Sequence, residues 1–419
     1  MQKFLLILSL AALFTACKTV RPINKIDMQF PRTDAFLENL LSGYPQYFGS
    51  VLQKRNEYKV QVIYTQIDRK KNNEPVFTSY YFNVDPGNYF YPASTVKMPV
   101  ALLALEEIGK LKHLGVNRNS SMITEADYSG QTPVYNDPTT PDGRPTVAHY
   151  IKKIFLVSDN DAFNRLYEFV GQEQINKRLR EMGYNNASIV HRLSLPMSED
   201  ENRHTNPIRF YDDTTRLLHN QPSRFNANPY PVRNDSIGTG YYSGGKLVSG
   251  PMDFSKKNKI SLPELNQMMQ TILFPDAFAK KYRFEIEEDD HRFVRQFMSL
   301  YPREAGYPPY DTSNYHDAFC KFIYWGSEKG KLPENFRVFN KVGNAYGFLT
   351  DVAYVVDLDK KVEFMVSATI YCNSDGILND DKYDYDSVGY PFMKQLGRVL
   401  YDFELKRKRK RVPDLSGLF

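Results

Sequence analysis

The chain has 419 residues, of which 42% are apolar, so it can bury the core of one large domain or of two moderate ones and is not predicted to be disordered. Consecutive basic residues at 406–411 account for the formal net charge of +5. The rest of the chain is close to neutral, which argues against a nucleic-acid-binding protein. Residues 406–419 are predicted to form a basic, solvated tail, and contact with an anionic surface is the alternative.

The N-terminus has the layout of a secretion signal. Lys3 precedes an apolar stretch, 4–14, that is too short for the roughly 20 residues of a membrane helix. The stretch ends in Phe-Thr-Ala-Cys at Cys17, which resembles the bacterial lipoprotein box. We therefore expect 1–16 to be a signal peptide, Cys17 to be lipidated and 17–32 to be a tether, in an exported lipoprotein of the periplasm or outer membrane. A signal peptide of a soluble protein is the alternative.

Hydrophobic periodicity predicts the first elements of the folded domain. Apolar residues recur at helical spacing over 36–41, and alternation over 58–67 predicts a strand. Asn72 and Asn73 predict a turn, and the β-branched and aromatic residues of 76–84 predict the strand that pairs back. A helix followed by a β-hairpin therefore opens the domain.

The middle of the chain is predicted to be mostly helical. Apolar patterns predict helices over 96–107, 146–156 and 162–170, the last ended by Gly171. Ser261 begins a capping-box sequence, which predicts the start of another helix.

The end of the chain returns to strands. Strand-like runs cover 336–340, 352–358 and 362–372, and a final helix is predicted over 387–405. Strands at both ends of the chain favour an α+β fold over alternating βαβ units.

One domain over 33–405 follows from this order. Its antiparallel sheet is predicted from about 57–90 and 336–372, with flanking helices and an inserted helical region over about 94–335. Within that region, the stretch of about 210–251 is rich in Asn, Pro, Gly and Ser and is too long for an ordinary connection. It is expected to be a lid or an insertion.

Ser94 and Lys97 are the first candidates for catalysis. Their spacing at the start of a helix places both side chains on one face. A lysine whose pKa is lowered by desolvation can take the proton of the serine hydroxyl, which makes that oxygen a nucleophile. The helix N-terminus adds N–H groups for a developing oxyanion. A second Ser-x-x-Lys, from Ser243 to Lys246, contains two glycines that disfavour a helix, so we assign it to chance.

Two further motifs follow in order. Ser-Asp-Asn at 158–160 lies between two predicted helices, and Lys-Val-Gly at 341–343 follows a predicted strand. Ser-x-x-Lys, Ser-Asp-Asn and a Lys-x-Gly element in this order resemble the signature of class A β-lactamases and penicillin-binding proteins. Singly, each motif has an ordinary explanation as a helix cap, a turn or a strand-end lysine. Together they identify the chain as similar to that superfamily of serine hydrolases.

The resemblance implies a β-lactamase/transpeptidase-like fold and three catalytic residues. Ser94 would be acylated, Lys97 would accept its proton, and Ser158 would relay a proton to the leaving nitrogen.

The other motif residues are implied to bind substrate. Asn160 would hold the substrate amide, and Lys341 would supply positive charge toward the Ser-Asp-Asn serine and a substrate carboxylate. The backbone N–H groups of the acylated serine and of Asn344 would form the oxyanion hole, next to Gly343 in the same binding element. Asp159 would be structural.

Two departures from the family pattern matter. Val342 stands where the family has Thr or Ser, whose hydroxyl helps to bind the β-lactam carboxylate. When Arg192 is aligned with the arginine that opens the family's catalytic loop, Ser194 takes the place of the glutamate that activates the deacylating water. Glu199 and Glu201 are the nearest substitutes for that base, and ordinary surface acids are the alternative. Deacylation is therefore expected to be slow.

We expect an exported serine hydrolase that acylates Ser94 with a β-lactam or a related amide or ester and hydrolyses it. A peptidoglycan D,D-peptidase or an esterase with slow deacylation is the alternative within this class. A rival of another class is a non-catalytic cell-envelope binding lipoprotein that uses the aromatic, Gly-rich stretch 230–242 for recognition. The rival fails to explain why all three motifs are present.

No cofactor and no metal are predicted, because the histidines and cysteines lack metal-ligand spacing. The predicted partners are a small-molecule or peptide substrate and a membrane reached through the lipid anchor. Apart from Cys17, the cysteines are Cys320 and Cys372, and the sequence leaves open whether they pair or stay thiols.

Overall fold

The structure is a computed structural model that describes residues 30–418. The predicted signal peptide, the lipidation site Cys17 and most of the predicted tether lie outside these residues. Across 30–418, no helix combines the length and the apolar character needed to cross a membrane.

The strands of the described chain, in order, are β1 (Gln61–Arg69), β2 (Pro75–Phe82), β3 (Ser121–Thr124), β4 (Ile208–Tyr211), β5 (Leu217–Gln221), β6 (Ser236–Ile237), β7 (Gly240–Ser243), β8 (Lys246–Ser249), β9 (Met252–Asp253), β10 (Phe336–Ala345), β11 (Phe348–Asp357), β12 (Val362–Tyr371) and β13 (Ile377–Leu378). The helices are α1 (Ala35–Ser42), α2 (Pro45–Gln53), α3 (Lys97–Leu111), α4 (Val147–Val157), α5 (Asn160–Val170), α6 (Gln172–Glu181), α7 (Glu199–Arg203), α8 (Leu262–Leu273), α9 (Glu288–Ser299), α10 (Phe322–Trp325) and α11 (Tyr390–Lys406).

The main sheet has the strand order β10-β11-β12-β1-β2, and all its pairs are antiparallel. Strands β1 and β12 meet at its centre, with Val62 opposite Ala368. Because β11 and β12 are buried along their whole length, their sequences are nearly continuous apolar runs rather than alternating ones. The α+β prediction, with a sheet built from both ends of the chain, is confirmed.

Two apolar clusters cover the two faces of this sheet. One joins it to α1, α2 and α11, with Phe48 and Leu396 fully buried. The other joins it to the helical region, with Val100 of α3 and Met269 of α8 fully buried. Helix α3 is apolar on all sides because it lies in the centre of that region.

The region between the halves of the sheet contains more strands than predicted. Small sheets formed by β3-β4-β5, β6-β9 and β13-β7-β8 lie among its helices. Strands β4 to β8 supply parts of these sheets from within the predicted insertion at 210–251. The hairpin of β7 and β8 turns at Gly244 and Gly245, which both have positive φ. Ser243 and Lys246 therefore face each other across a hairpin, and their assignment to chance rather than to a helical pair is confirmed.

The segment after the final helix, predicted as a solvated tail, is exposed at most of its described residues but is fastened to the domain at several points. Arg407 donates to Asp68 Oδ1 at 2.7 Å, and Arg409 donates to Glu404. Further on, Leu415 and Leu418 are buried in the core. These contacts arise because carboxylates lie within reach of the two arginines, which composition alone does not reveal.

Candidate active site

Ser94 lies in a 3₁₀ turn, Ala93–Val96, that runs directly into α3. The turn begins with Ala93 at a φ of 46°, a left-handed conformation that costs a residue with a Cβ about 1–2 kcal/mol. Thr95 closes it, because its backbone N–H and its hydroxyl both donate to the Pro92 carbonyl, at 3.0 and 2.7 Å. The Ser94 side chain is partly exposed and lines a cleft.

Strand β10 packs against this turn at Gly343. A Cβ at Gly343 would lie 2.6 Å from the Pro92 carbonyl oxygen and 2.9 Å from the Ser94 nitrogen. Only glycine allows so close an approach. The structure thus gives Gly343 a packing role behind the nucleophile.

Lys97 is completely buried, and its Nζ faces the Ser-Asp-Asn motif. Nζ donates to the backbone carbonyl of Ser158 and to Asn160 Oδ1 at 2.6 Å, and it lies 3.3 Å from Ser158 Oγ. Among the described residues, Ser94 Oγ has no hydrogen-bond partner. Lys97 therefore links the helix of the nucleophile to the Ser-Asp-Asn motif.

The Ser-Asp-Asn motif joins α4 to α5. Ser158 caps α4 in the left-handed conformation, with φ 57° and ψ 40°. Asp159 is the N-cap of α5, and its Oδ1 accepts from the Ala162 N–H at 2.8 Å. The structural role predicted for Asp159 is confirmed by this cap.

Lys341 reaches the same hydroxyl from the sheet. Its Nζ donates to Ser158 Oγ at 2.8 Å and to the Val342 carbonyl at 2.9 Å. The Lys-Val-Gly motif was predicted to follow the strand. It lies inside β10 instead, because β10 continues to Ala345. Pairing of Lys341 with Val352 in β11 fixes its register.

The electrostatics favour one neutral and one charged lysine. Burial, with repulsion from Lys341 as a second cause, holds the pKa of Lys97 well below its usual value. Burial also lowers the pKa of Lys341, to about 8. Near neutral pH, Lys97 can thus act as a base while Lys341 keeps most of its charge.

The cleft next to these residues has a volume of about 750 Å³. Its lining includes Ser94, Ser158, Asn160 and Asn344. Val342 also lines it, although its side chain is mostly buried in the apolar cluster on the far face of the sheet. The sequence motifs therefore converge on one cleft.

The deacylation candidates do not join them. Glu201 forms the capping box of α7 with Ser198, and Glu199 pairs with Lys256 and Arg203. Neither carboxylate is among the residues that line the cleft. Hydrogen bonds lower the pKa of both carboxyl groups. The largest effect on Glu199 comes from the Lys256 side chain, and the largest effect on Glu201 comes from the Ser198 backbone N–H.

Ser194 occupies a position at the site instead. Its Oγ accepts a hydrogen bond of 2.8 Å from Asn160 Nδ2, and its φ is 56°. Arg192 holds the base of this loop through a buried ion pair with Glu168 at 2.7 Å and through bonds to the carbonyls of Glu201 and His204.

Part of the cleft was missed by the sequence reasoning. The segment that leads into α11 contributes to the lining, and so does Cys320. The lining residues of that segment are Asp381, Tyr383, Tyr385, Asp386 and Tyr390. Nothing in the sequence around 381–390 indicates that it reaches the nucleophile, because the contact depends on long-range packing. Cys320 and Cys372 are buried free thiols.

Within 30–418, no group of three or more His, Cys, Asp or Glu side chains is placed to hold a metal ion.

Ser94 beside two buried lysines and Ser158 is an arrangement that suits acyl transfer. Residues 46–223 match the model of the β-lactamase enzyme family. With the order and convergence of the three motifs, this match supports the β-lactamase/transpeptidase-like superfamily of serine hydrolases. Such an enzyme binds a small-molecule substrate.

Solved structures with a similar shape include two β-lactamases. One, from Xanthomonas campestris pv. campestris strain ATCC 33913, is 12% identical, with a TM-score of 0.47, over 86% of this chain and 98% of the other. One from Burkholderia ambifaria is 14% identical, with a TM-score of 0.46, over 84% of this chain and 98% of the other. Neither similarity bears on activity. No curated protein sequence matches the chain significantly.

Proposed function

We propose that the protein is an exported, lipid-anchored serine hydrolase that forms an acyl-enzyme at Ser94 with a β-lactam or a related amide or ester. The observation that carries the proposal is the meeting of both lysines at Ser158 Oγ, with Lys97 Nζ at 3.3 Å and Lys341 Nζ at 2.8 Å. Ser94 lines the same cleft.

Lys97 is placed to act as the base. Its Nζ donates to three oxygens, those of the Ser158 backbone, the Ser158 hydroxyl and the Asn160 side chain. Burial, with repulsion from Lys341 as a second cause, holds its pKa well below the usual value, which favours the neutral amine that can accept a proton. Within residues 30–418 the Ser94 hydroxyl has no hydrogen-bond partner, and substrate binding would bring it toward Lys97.

Acylation would involve three proton transfers. Ser94 Oγ forms a bond to the substrate carbonyl carbon while its proton passes to Lys97 Nζ. The carbon–nitrogen bond then breaks, and the leaving nitrogen takes the proton of Ser158 Oγ, which regains one from the Lys97 ammonium. The charge of Lys341 stabilises the Ser158 oxygen during this relay and attracts a substrate carboxylate.

A second candidate within the class is a peptidoglycan D,D-peptidase or an esterase. The expectation of slow deacylation favours it. The position expected to carry a general base holds Ser194, whose hydroxyl is engaged by Asn160 at 2.8 Å. Glu199 and Glu201 are used in capping and ion pairs. Within residues 30–418, no carboxylate is hydrogen-bonded to Ser94, Lys97 or Ser158, so Lys97 is the base we assign to water attack.

Mass spectrometry of the purified protein after incubation with a fluorescent penicillin, and separately with a fluorophosphonate, tests both candidates. Ser94→Ala should abolish the adduct, whereas Ser243→Ala, in the exposed Ser-x-x-Lys of the hairpin, should leave it unchanged. A lasting penicillin adduct on Ser94 favours the slow enzyme, and rapid loss of penicillin without an adduct favours a β-lactamase. No adduct and no turnover with either reagent would support the binding lipoprotein instead.

Export and anchoring rest on the N-terminal sequence alone. Mass spectrometry of the protein extracted from bacterial membranes should find a lipid on Cys17. The Cys17→Ser variant should carry no lipid and should no longer be recovered with the membranes. Recovery of the unmodified wild-type chain from the cytoplasm would contradict this part of the proposal.

A further inference from the structure

In the basic run 406–411, Arg407 and Arg409 face the protein, whereas the lysines are exposed. Arg407 donates to Asp68 and Glu404, and Arg409 donates to Glu404, so both arginines point into the protein. The alternate residues Lys406, Lys408 and Lys410 are exposed. Arginine forms planar, multiple hydrogen bonds with carboxylates, whereas lysine stays strongly hydrated. The arginines thus fasten the segment, and the lysines are presented to the outside.

Lys406, Lys408 and Lys410, which we name the lysine row, carry uncompensated charge. Across residues 30–418, no acidic side chain lies within ion-pair distance of any of the three. The next residue, Arg411, is also exposed. A protein whose body is nearly neutral therefore concentrates positive charge on one segment.

The segment follows the edge of the main sheet. It is held at one end by Glu404, which accepts from the Tyr64 hydroxyl of β1, and at the other by Asp414. Asp414 and Asn73, in the turn between β1 and β2, exchange two hydrogen bonds of 2.7 and 3.0 Å. The same turn carries the exposed Lys71, whereas Lys70 is paired with Glu74 at 2.7 Å.

Exposed apolar side chains flank the row. Val412 is 72% exposed and Leu405 is 44% exposed. A soluble polyanion would gain nothing from contact with apolar side chains. A bilayer interface, in contrast, attracts the lysine charges through its anionic headgroups and buries the apolar side chains at the acyl boundary. The combination favours a membrane surface as the partner.

The N-terminal segment enters the domain at the same edge. Phe36 of α1 packs on Phe403 of α11, with ring centroids 5.3 Å apart, and Phe30 stacks on Tyr81 of β2 at 4.7 Å. Twelve residues separate Cys17 from Phe30, and an extended segment of that length reaches at most about 40 Å. An anchor at Cys17 would therefore keep the row within reach of the bilayer.

We propose that the lysine row, together with Val412, is a membrane-docking surface that binds the headgroups of anionic phospholipids and orients the domain on the bilayer. The placement of the bilayer rests on the lipid anchor of the proposed function, but binding to anionic lipid does not require the anchor. The two proposals can therefore fail separately.

Sedimentation with lipid vesicles tests the docking surface in the full chain carrying Cys17→Ser, which has no lipid. Vesicles of equal parts phosphatidylglycerol and phosphatidylcholine should bind it, and vesicles of phosphatidylcholine alone should not. Neutralising the row with Lys406→Gln, Lys408→Gln and Lys410→Gln should lower the partition coefficient about 100-fold, from roughly five-fold per lysine. Val412→Ser should lower it further.

A matched variant controls for net charge. Lys177→Gln, Lys246→Gln and Lys280→Gln remove the same charge from three other exposed positions and should leave the partition coefficient within about two-fold. Thermal unfolding of both triple variants checks that the fold is retained.

Three outcomes would overturn the docking surface: equal binding by both triple variants, binding that ignores phosphatidylglycerol, or displacement by soluble polyphosphate with no effect of Val412→Ser. The last would identify a soluble polyanion as the partner. Absence of lipid from Cys17 in cells, with vesicle binding intact, would overturn only the anchor.

Discussion

Replacing Gly343 by alanine places a methyl group between β10 and the turn that carries the nucleophile. The new Cβ would lie 2.6 Å from the Pro92 carbonyl oxygen, 2.9 Å from the Ser94 nitrogen and 3.1 Å from the Thr95 nitrogen. All three are backbone atoms, so no flexible side chain can move aside. The strand and the turn must separate by roughly half an ångström or more to restore ordinary van der Waals contact.

Two measurable losses should follow from that separation. Overpacking of this kind costs about 1–3 kcal/mol of unfolding free energy. A displacement approaching 1 Å at a reacting group costs about 100-fold in rate, and here it moves both Ser94 Oγ and the Ser94 N–H of the expected oxyanion hole. We expect the second-order rate of acylation by a fluorescent penicillin or fluorophosphonate to fall by about 10- to 100-fold in Gly343→Ala.

Gly109→Ala is the matched control. Gly109 lies in α3, the helix that begins with Lys97, and a Cβ there would have nothing within 4 Å. This change should leave acylation unaltered and raise the unfolding free energy by about 0.5–1 kcal/mol. If Gly343→Ala acylates within about three-fold of the wild type and unfolds at the same denaturant concentration, the close packing of β10 on the turn is not what positions Ser94.

Three other predictions concern pH, deacylation and stability. The acylation rate should rise with pH as Lys97 loses its proton, because the pKa of Lys97 is well below its usual value. The rate should fall again near pH 8, where Lys341 loses its charge. A stopped-flow pH profile without this alkaline decrease would contradict the role of Lys341. Ser194→Glu should shorten the acyl-enzyme lifetime by about ten-fold or more, as followed by mass spectrometry, and Leu195→Glu at the next exposed position should not. Arg192→Met removes the closer of the two arginines that pair with the buried Glu168 and leaves Arg165 at 3.2 Å; it should cost about 1.5–3 kcal/mol in urea unfolding, as for a hydrogen bond to a charged group, so a loss under about 1 kcal/mol would show that the ion pair does not hold the loop.

The sequence by itself was sufficient for the local features. Ser94 and Lys97 share a helical start, so their proximity to each other depends only on spacing. The helices predicted to start at 146 and 162, the helix start at Ser261 and the strands at both ends of the chain follow from capping residues and hydrophobic patterns and were predicted within a few residues. The order of the motifs was enough to indicate the resemblance to the superfamily.

Boundaries and exposed segments were less well predicted. Lys341 lies within β10 because pairing with β11 extends the strand beyond its apolar run. The residues after α11 are fastened to the sheet because Asp68 of β1 is available to Arg407. Both outcomes depend on a partner element far away in the chain, which a local pattern does not contain.

Only the tertiary structure decided which groups face the nucleophile. Three helices and an edge strand, far apart in sequence, bring Lys97, Ser158, Asn160 and Lys341 together, and burial then sets the pKa values of the two lysines. The same packing leaves Glu199 and Glu201 outside the cleft and Ser194 beside Asn160. Spacing along the chain specifies what a helix or a turn presents locally, whereas distances between elements arise from long-range packing of the two apolar clusters, and catalysis depends on those distances.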